Sequence, residues 1–375
     1  MTLYFDFAAA TPLDPKVLAK MLPYLKENYA NPSSLYVPGR EARAAIDEAR
    51  QTVAQILHCK SSEIFFTSGG TEANNWAVFG TANASAQKKH LISTKIEHHS
   101  VLHPVQELER RGYEITWLPL DEYGLINLRD LKEAIKPETV LISVMHANNE
   151  IGTIENIAEI ANAAHSKGVI LHTDACQAPG ALPLNTLELD VDLLTLNAGK
   201  MHGPKGIGAL FIRENTKITP LLYGGGQEHR LRAGTENVAA IVGFAEAFRI
   251  AEEKRETESV KIAGLRDGLI SELYKMIPNI KLNGHPKQRL PNNINITIPG
   301  IDAEILLMKL DLEGICISSG SACTSGSLDP SHVLLGIGLP KQAAKSSIRI
   351  TIGAQTTAEE LVKLIKQLTK FAKKP

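Results

Sequence analysis

Two residues in this 375-residue chain stand where covalent chemistry is possible: Lys200, directly after an apolar run, and Cys323, among small residues. A lysine amine in apolar surroundings is desolvated, which lowers its pKa and frees it for a Schiff base. Lys205, in His202-Gly203-Pro204-Lys205-Gly206, competes for that role; Lys200 is favoured because it follows the run directly. Cys323 lies in Gly320-Ser321-Ala322-Cys323-Thr324-Ser325-Gly326-Ser327, where no neighbour is large enough to bury it, so its thiolate is a candidate nucleophile. Cys59, Cys176 and Cys316 read instead as buried, inert thiols.

Other polar groups also follow short apolar runs. Thr67-Ser68-Gly69-Gly70-Thr71 combines a tight turn with a helix start, whose free N–H groups and Thr71 hydroxyl suit a phosphate. His98, in Lys95-Ile96-Glu97-His98-His99, offers a ring for stacking. Asn148 and Asn149 either turn the chain or bond a ligand. Asp174, in His172-Thr173-Asp174-Ala175-Cys176-Gln177, needs a cation at the end of an apolar strand: an Arg, a Lys, or a protonated ring nitrogen. Each group alone has an ordinary structural explanation. A phosphate cradle, a stacking ring, a carboxylate and a Schiff-base lysine together match the needs of pyridoxal 5'-phosphate.

The elements that must position these groups alternate. Strands are expected at Glu63–Thr67, His90–Thr94, Glu114–Leu118, Val140–Met145, Val169–Thr173, Leu193–Leu196 and Ala209–Ile212. Amphipathic helical segments such as Glu72–Phe79, Val101–Arg110 and Ile157–Ser166 fall between several of them. Near-continuous apolar strands alternating with helices predict an α/β fold with a mostly parallel seven-stranded sheet, whose ligands sit beyond the carboxyl ends of the strands. The charged run Glu252–Glu258 leads toward a smaller α+β domain with alternating segments Ile294–Ile298 and Ile348–Ile352. A capping box, Thr357 with Glu360, opens the last helix. The expected division is an N-terminal segment 1–15 packing with the small domain, a cofactor domain 16–255, and a C-terminal domain 256–375 carrying Cys323.

Composition narrows the classes. Apolar residues make up 43% and charged residues 22%, and the formal net charge is −1, so a surface built for nucleic acid is not expected. No signal peptide or membrane-spanning run is read, and four cysteines without a CxxC pair suggest neither disulfides nor a metal site; a cytoplasmic location is expected.

Over nearly its whole length the chain resembles the cysteine desulfurases of the class V aminotransferase group. The resemblance rests on Asn31-Pro32-Ser33-Ser34, Thr67 to Asn75, His146-Ala147-Asn148-Asn149-Glu150-Ile151-Gly152, His202 to Gly206, Arg232-Ala233-Gly234-Thr235-Glu236-Asn237 and Ser318 to Gly326. It implies a type I fold for pyridoxal-phosphate enzymes, with the cofactor on Lys200, Asp174 at its ring nitrogen, and His98 and Asn149 against the ring. Gln177 would meet the ring hydroxyl. Gly70, Thr71 and Asn197 would hold the phosphate, joined by Thr235 from the other subunit of a homodimer. Arg349, with Asn31, would bind the substrate; a guanidinium fork suits a carboxylate, although an alternating strand by itself reads Arg349 as a surface residue. The family's usual Ser-x-His before the lysine is here Asn197-Ala198-Gly199, so one phosphate partner is missing.

The implied reaction removes sulfur from L-cysteine, giving L-alanine and a persulfide on Cys323, with Lys200 moving the α-proton and His98 as proton shuttle. The sulfur would pass to an iron–sulfur scaffold or a tRNA-thiolation protein. A selenocysteine lyase, a transaminase and a catalytically silent scaffold partner are the competing readings.

Overall fold

The computed structural model describes residues 2–85, 87–320 and 329–372; Cys323 lies outside them. A short strand, Leu3–Tyr4 (β1), comes first. The strands of the main sheet follow: Ile64–Thr67 (β2), His90–Thr94 (β3), Glu114–Leu118 (β4), Thr139–Ser143 (β5), Ile170–Asp174 (β6), Leu193–Asn197 (β7) and Gly208–Ile212 (β8). Their order is β2-β8-β7-β6-β5-β3-β4. Neighbours from β7 to β4 run parallel, and β8 is antiparallel to both β7 and β2. The mostly parallel seven-stranded sheet is therefore present, and β2, β3, β5, β6 and β7 all end on one edge.

Both faces are covered, which explains why these strands are apolar throughout. On one face Ile46, Val53 and Leu57 of helix Val37–Leu57 pack with Phe244 and Phe248 against Phe66, Ile92, Ile142 and Leu194. On the other, Val101, Val105 and Leu108 of helix His99–Arg110 meet Leu91 and Leu141. The segment expected as one helix from Glu72 is α-helical over Gly70–Asn75, then widens into a π turn over Trp76–Gly80. Boundaries elsewhere shift by one or two residues; Asp174 is the last residue of β6 rather than the first after it.

Strands Lys281–Leu282 (β9), Asn293–Thr297 (β10), Ile315–Cys316 (β11) and Ser347–Thr351 (β12) complete the set among the described residues. β12, β10 and β9 form an antiparallel sheet, and β1 pairs with β11. Ile294, Ile296, Ile348 and Ile350 form a second core with Leu3, Phe5, Ile262, Leu269 and Leu364. The 39-residue helix Val238–Met276 joins the cores: Val238 to Ile250 pack in the first, Ile262 to Leu273 in the second. The charged run at 252–258 is the middle of this helix, with Glu253, Lys254, Glu256 and Thr257 exposed. Thr357 and Glu360 make the expected capping box, exchanging bonds of 2.9 and 3.3 Å. No helix among the described residues is long and apolar enough to cross a membrane.

Candidate active site

The loops leaving β2, β3, β5, β6 and β7 enclose a cavity of about 200 Å³. Gly70, Thr71, His98, Asn149, Asp174, Gln177, Asn197, Lys200 and Arg349 all line it. Gly69 turns the chain into it with φ +148°, a backbone that glycine adopts without strain. A Cβ on Gly70 would stand 2.7 Å from Cys176 Sγ, so only glycine lets the helix start close on that wall. A larger cavity of about 410 Å³ meets the first at Lys200 and Gln177 but lacks Asp174, His98 and Arg349.

Lys200 ends the short 3-10 turn Ala198–Lys200 immediately after β7, where Asn197 Oδ1 accepts from the Gly199 N–H. Its Nζ donates to the carbonyls of Ala8, at 2.8 Å, and Ala9. Gln177 Nε2 donates to the same Ala8 carbonyl at 3.1 Å. Lys205 does not line the cavity; its Nζ is bound to the Thr11 carbonyl at 2.9 Å. Of the two lysines, Lys200 is the one at the cavity.

Asp174 is 5% exposed, and each of its oxygens accepts a hydrogen bond. Oδ1 accepts from the Cys176 N–H at 2.9 Å, and Oδ2 accepts from Asn74 Nδ2 at 2.7 Å. The other Asn74 N–H reaches Ser100 Oγ at 2.8 Å. The Ser100 hydroxyl lies 2.7 Å from His98 Nδ1, which also accepts the Ser100 N–H. With Nδ1 an acceptor, the proton of a neutral His98 ring belongs on Nε2. Behind this wall Glu97 is fully buried, and desolvation raises its pKa to about 8.

Arg349 is 1% exposed, so the surface-strand reading is overturned. Ile348, Ile350 and Ile352 do face the core as the alternation implies, but the opposite face of β12 is covered too. Arg349 Nη2 donates to Asp6 Oδ1 at 2.7 Å and Nη1 to the Asn149 carbonyl at 3.1 Å.

Two carried-over residues lie away from the cavity. Asn31 is exposed and caps its own turn through the Ser33 N–H, so this chain does not bring it to the site. Thr235 is exposed on the loop that follows Glu228, His229 and Arg230, three residues with φ of 42°, 55° and 67°. The buried ion pair of Glu228 with Arg50, at 2.7 Å, holds that strained turn in place. The three remaining cysteines are half-buried rather than buried, yet their thiols are suppressed: desolvation lifts Cys59 to about 12 and Cys176 well above the usual range, and raises Cys316. Asp6, Asn74 and Ser100 were missed as site residues. Asn74 lies within the stretch Thr67 to Asn75, which is its available signal; Asp6 is far from the others in sequence and carries none.

The wall suits a ligand that carries both donors and acceptors. Asn74 Oδ1 and Arg349 Nε are buried with no partner among the described residues, and a carboxylate, an imidazole and an amine converge on one space.

The aminotransferase class-V family model matches residues 3–364. The chain is 51% identical over 360 residues to cysteine desulfurase IscS of Dictyoglomus turgidum, covering 96% of this chain and 91% of that one. Identity to cysteine desulfurase IscS of Clostridium botulinum is 48% over 375 residues, covering 99% and 94%. Among solved structures, a NifS-like protein superposes with a TM-score of 0.94 at 34% identity, covering both chains fully. A structure described as SspA in complex with cysteine superposes at 0.83 with 35% identity, covering 95% of this chain and all of that one.

Proposed function

Because the chain belongs to the class V aminotransferase family, we propose that it is a cysteine desulfurase that carries pyridoxal 5'-phosphate on Lys200 and moves the sulfur of L-cysteine to Cys323. What supports this reading is the convergence of Lys200, Asp174, His98 and Arg349 on one cavity. Bound there, the cofactor would supply an electron-accepting ring that acidifies the α-carbon of an amino acid and loosens its carbon–sulfur bond.

The protein's own groups do the rest. Asp174, buried and held by Asn74 and the Cys176 N–H, would favour the protonated form of a ring nitrogen. His98 would offer its face to the ring, and Gln177 and Asn149, which line the same cavity, would offer polar groups to it. Gly70, Thr71 and Asn197 would hold the phosphate, joined by Thr235 of a second copy of the chain, a role that its exposure here suits. Arg349 grips the substrate carboxylate. Lys200 Nζ takes the α-proton and returns it to carbon, and His98 Nε2 exchanges protons with the reacting groups. The Cys323 thiolate then attacks the substrate sulfur: a sulfur–sulfur bond forms, and the carbon–sulfur bond breaks with its electron pair going to carbon. Protonation of that carbon releases alanine and leaves the persulfide.

We also assign residues 16–255 to the cofactor unit and 256–375, with 1–15, to a smaller one; the shared core of Leu3, Phe5, Ile262 and Ile350 supports this. We place the enzyme in the cytoplasm, where a reducing environment keeps Cys323 a thiol, with an iron–sulfur scaffold or a tRNA-thiolation protein as acceptor. Peptide mass analysis after adding L-cysteine tests the proposal. A gain of one sulfur on the Cys323 peptide, absent in Cys323→Ala together with alanine production, is the expected result; full alanine production by that variant would sink it.

A further inference from the structure

The N-terminal segment sets an acid against the buried arginine. Asp6 Oδ1 takes Nη2 of Arg349 at 2.7 Å, and the Asn149 carbonyl takes Nη1 at 3.1 Å. Nε stays buried with no partner among the described residues, on a side chain that lines the cavity. Asp6 itself has little freedom. Its neighbours are clipped to Thr351, two residues beyond Arg349: the Thr351 N–H donates to the Phe5 carbonyl at 2.8 Å, and the Ala8 N–H donates to Thr351 Oγ1 at 2.9 Å. The same segment supplies the carbonyls that hold Lys200.

A guanidinium tied at two of its three nitrogens cannot swing, so its plane is set before any ligand arrives. That removes the ordering cost a flexible arginine would carry into binding. It also gives a buried cation a counter-charge, without which burial would be expensive. The donors left over point recognition toward one further anion.

We propose that Asp6 is a positioning residue for substrate selection: it fixes the Arg349 fork so that the remaining donors take an α-carboxylate, and amines lacking that group are passed over. This rests on the reading of Arg349 as the substrate-carboxylate residue. L-Alanine and ethylamine, which differ only by the carboxylate and carry no sulfur, probe it without turnover.

Dissociation constants for both are measured on the holoenzyme by titrating the visible absorbance of the bound cofactor. Asp6→Ala should lose about tenfold of the preference for L-alanine, the scale of one charge-assisted bond, with ethylamine binding unchanged. Asp6→Asn, which keeps an acceptor oxygen, should fall between it and the parent, and it decides the matter if Asp6→Ala does not fold. KM for L-cysteine should rise in both with kcat largely kept. If both variants keep the preference within about twofold, or weaken the two ligands equally, Asp6 merely fastens the segment and the inference fails. Arg349→Gln separates the two failures: a preference lost in that variant but kept in the Asp6 variants leaves the Arg349 reading intact, whereas a preference kept in all three overturns both.

Discussion

Asn74 donates to Asp174 Oδ2 at 2.7 Å and, through its other N–H, to Ser100 Oγ at 2.8 Å, joining the buried carboxylate to the His98 ring through neutral groups only. A neutral bridge leaves the Asp174 charge available to the ring nitrogen. Asn74→Asp would set a second carboxylate at that distance, and one of the pair would have to take a proton. The variant should bind cofactor at least about tenfold more weakly, as read by equilibrium dialysis and absorbance. Unaltered affinity would show that Asp174 does not depend on this bridge.

Lys200 and Lys205 can be told apart chemically. Borohydride reduction of the holoenzyme should fix the cofactor to the peptide containing Lys200. Lys205→Ala should still be labelled, since Lys205 does not line the cavity. Lys200→Ala should not; a normal adduct in that variant would transfer the role to Lys205.

Gly199 stands where the family usually has histidine. A Cβ built there meets nothing nearer than Asn197 Oδ1 and Lys205 Cγ, both at 3.7 Å, so Gly199→His starts without a clash. It should fold normally and release cofactor more slowly, because a phosphate partner has been restored. Faster release would mean that Asn197 and Gly199 already form the phosphate wall this chain needs.

Glu97 sets a pH dependence of stability. Folded, it keeps its proton up to about pH 8, whereas the unfolded chain releases it near 4.5. Over that interval the native state binds the extra proton, so stability falls as pH rises, by up to about 1.4 kcal/mol per pH unit. Glu155, also raised to about 8 by burial, adds a slope of the same sign. His146 and His172, held down to about 4, contribute little above pH 7, because both states are then nearly neutral. Urea unfolding at pH 7 and 8 should show Glu97→Gln losing less stability across the step than the parent. Equal losses would place the titration elsewhere.

Much of the site was legible because its residues follow strands of one sheet. Apolar runs mark those strands, parallel topology puts their carboxyl ends on one edge, and local sequence at each end shows the polar group: Thr71 after β2, His98 after β3, Asn149 after β5, Gln177 after β6, Lys200 after β7. Arg349 was less legible. Alternation correctly turned it from the isoleucine face, but a strand pattern cannot say whether the other face meets water or protein.

The order of elements, the mostly parallel sheet and the set of strand-end side chains can be read from the residues alone, because hydrophobic periodicity and turn chemistry are local. Three features emerge from long-range packing: Asp6 closes on Arg349, the Ala8 and Ala9 carbonyls hold Lys200, and Asn31 stays outside the cavity. The first two join residues nearly two hundred to more than three hundred positions apart, through packing of the N-terminal segment against β12 that no local pattern encodes.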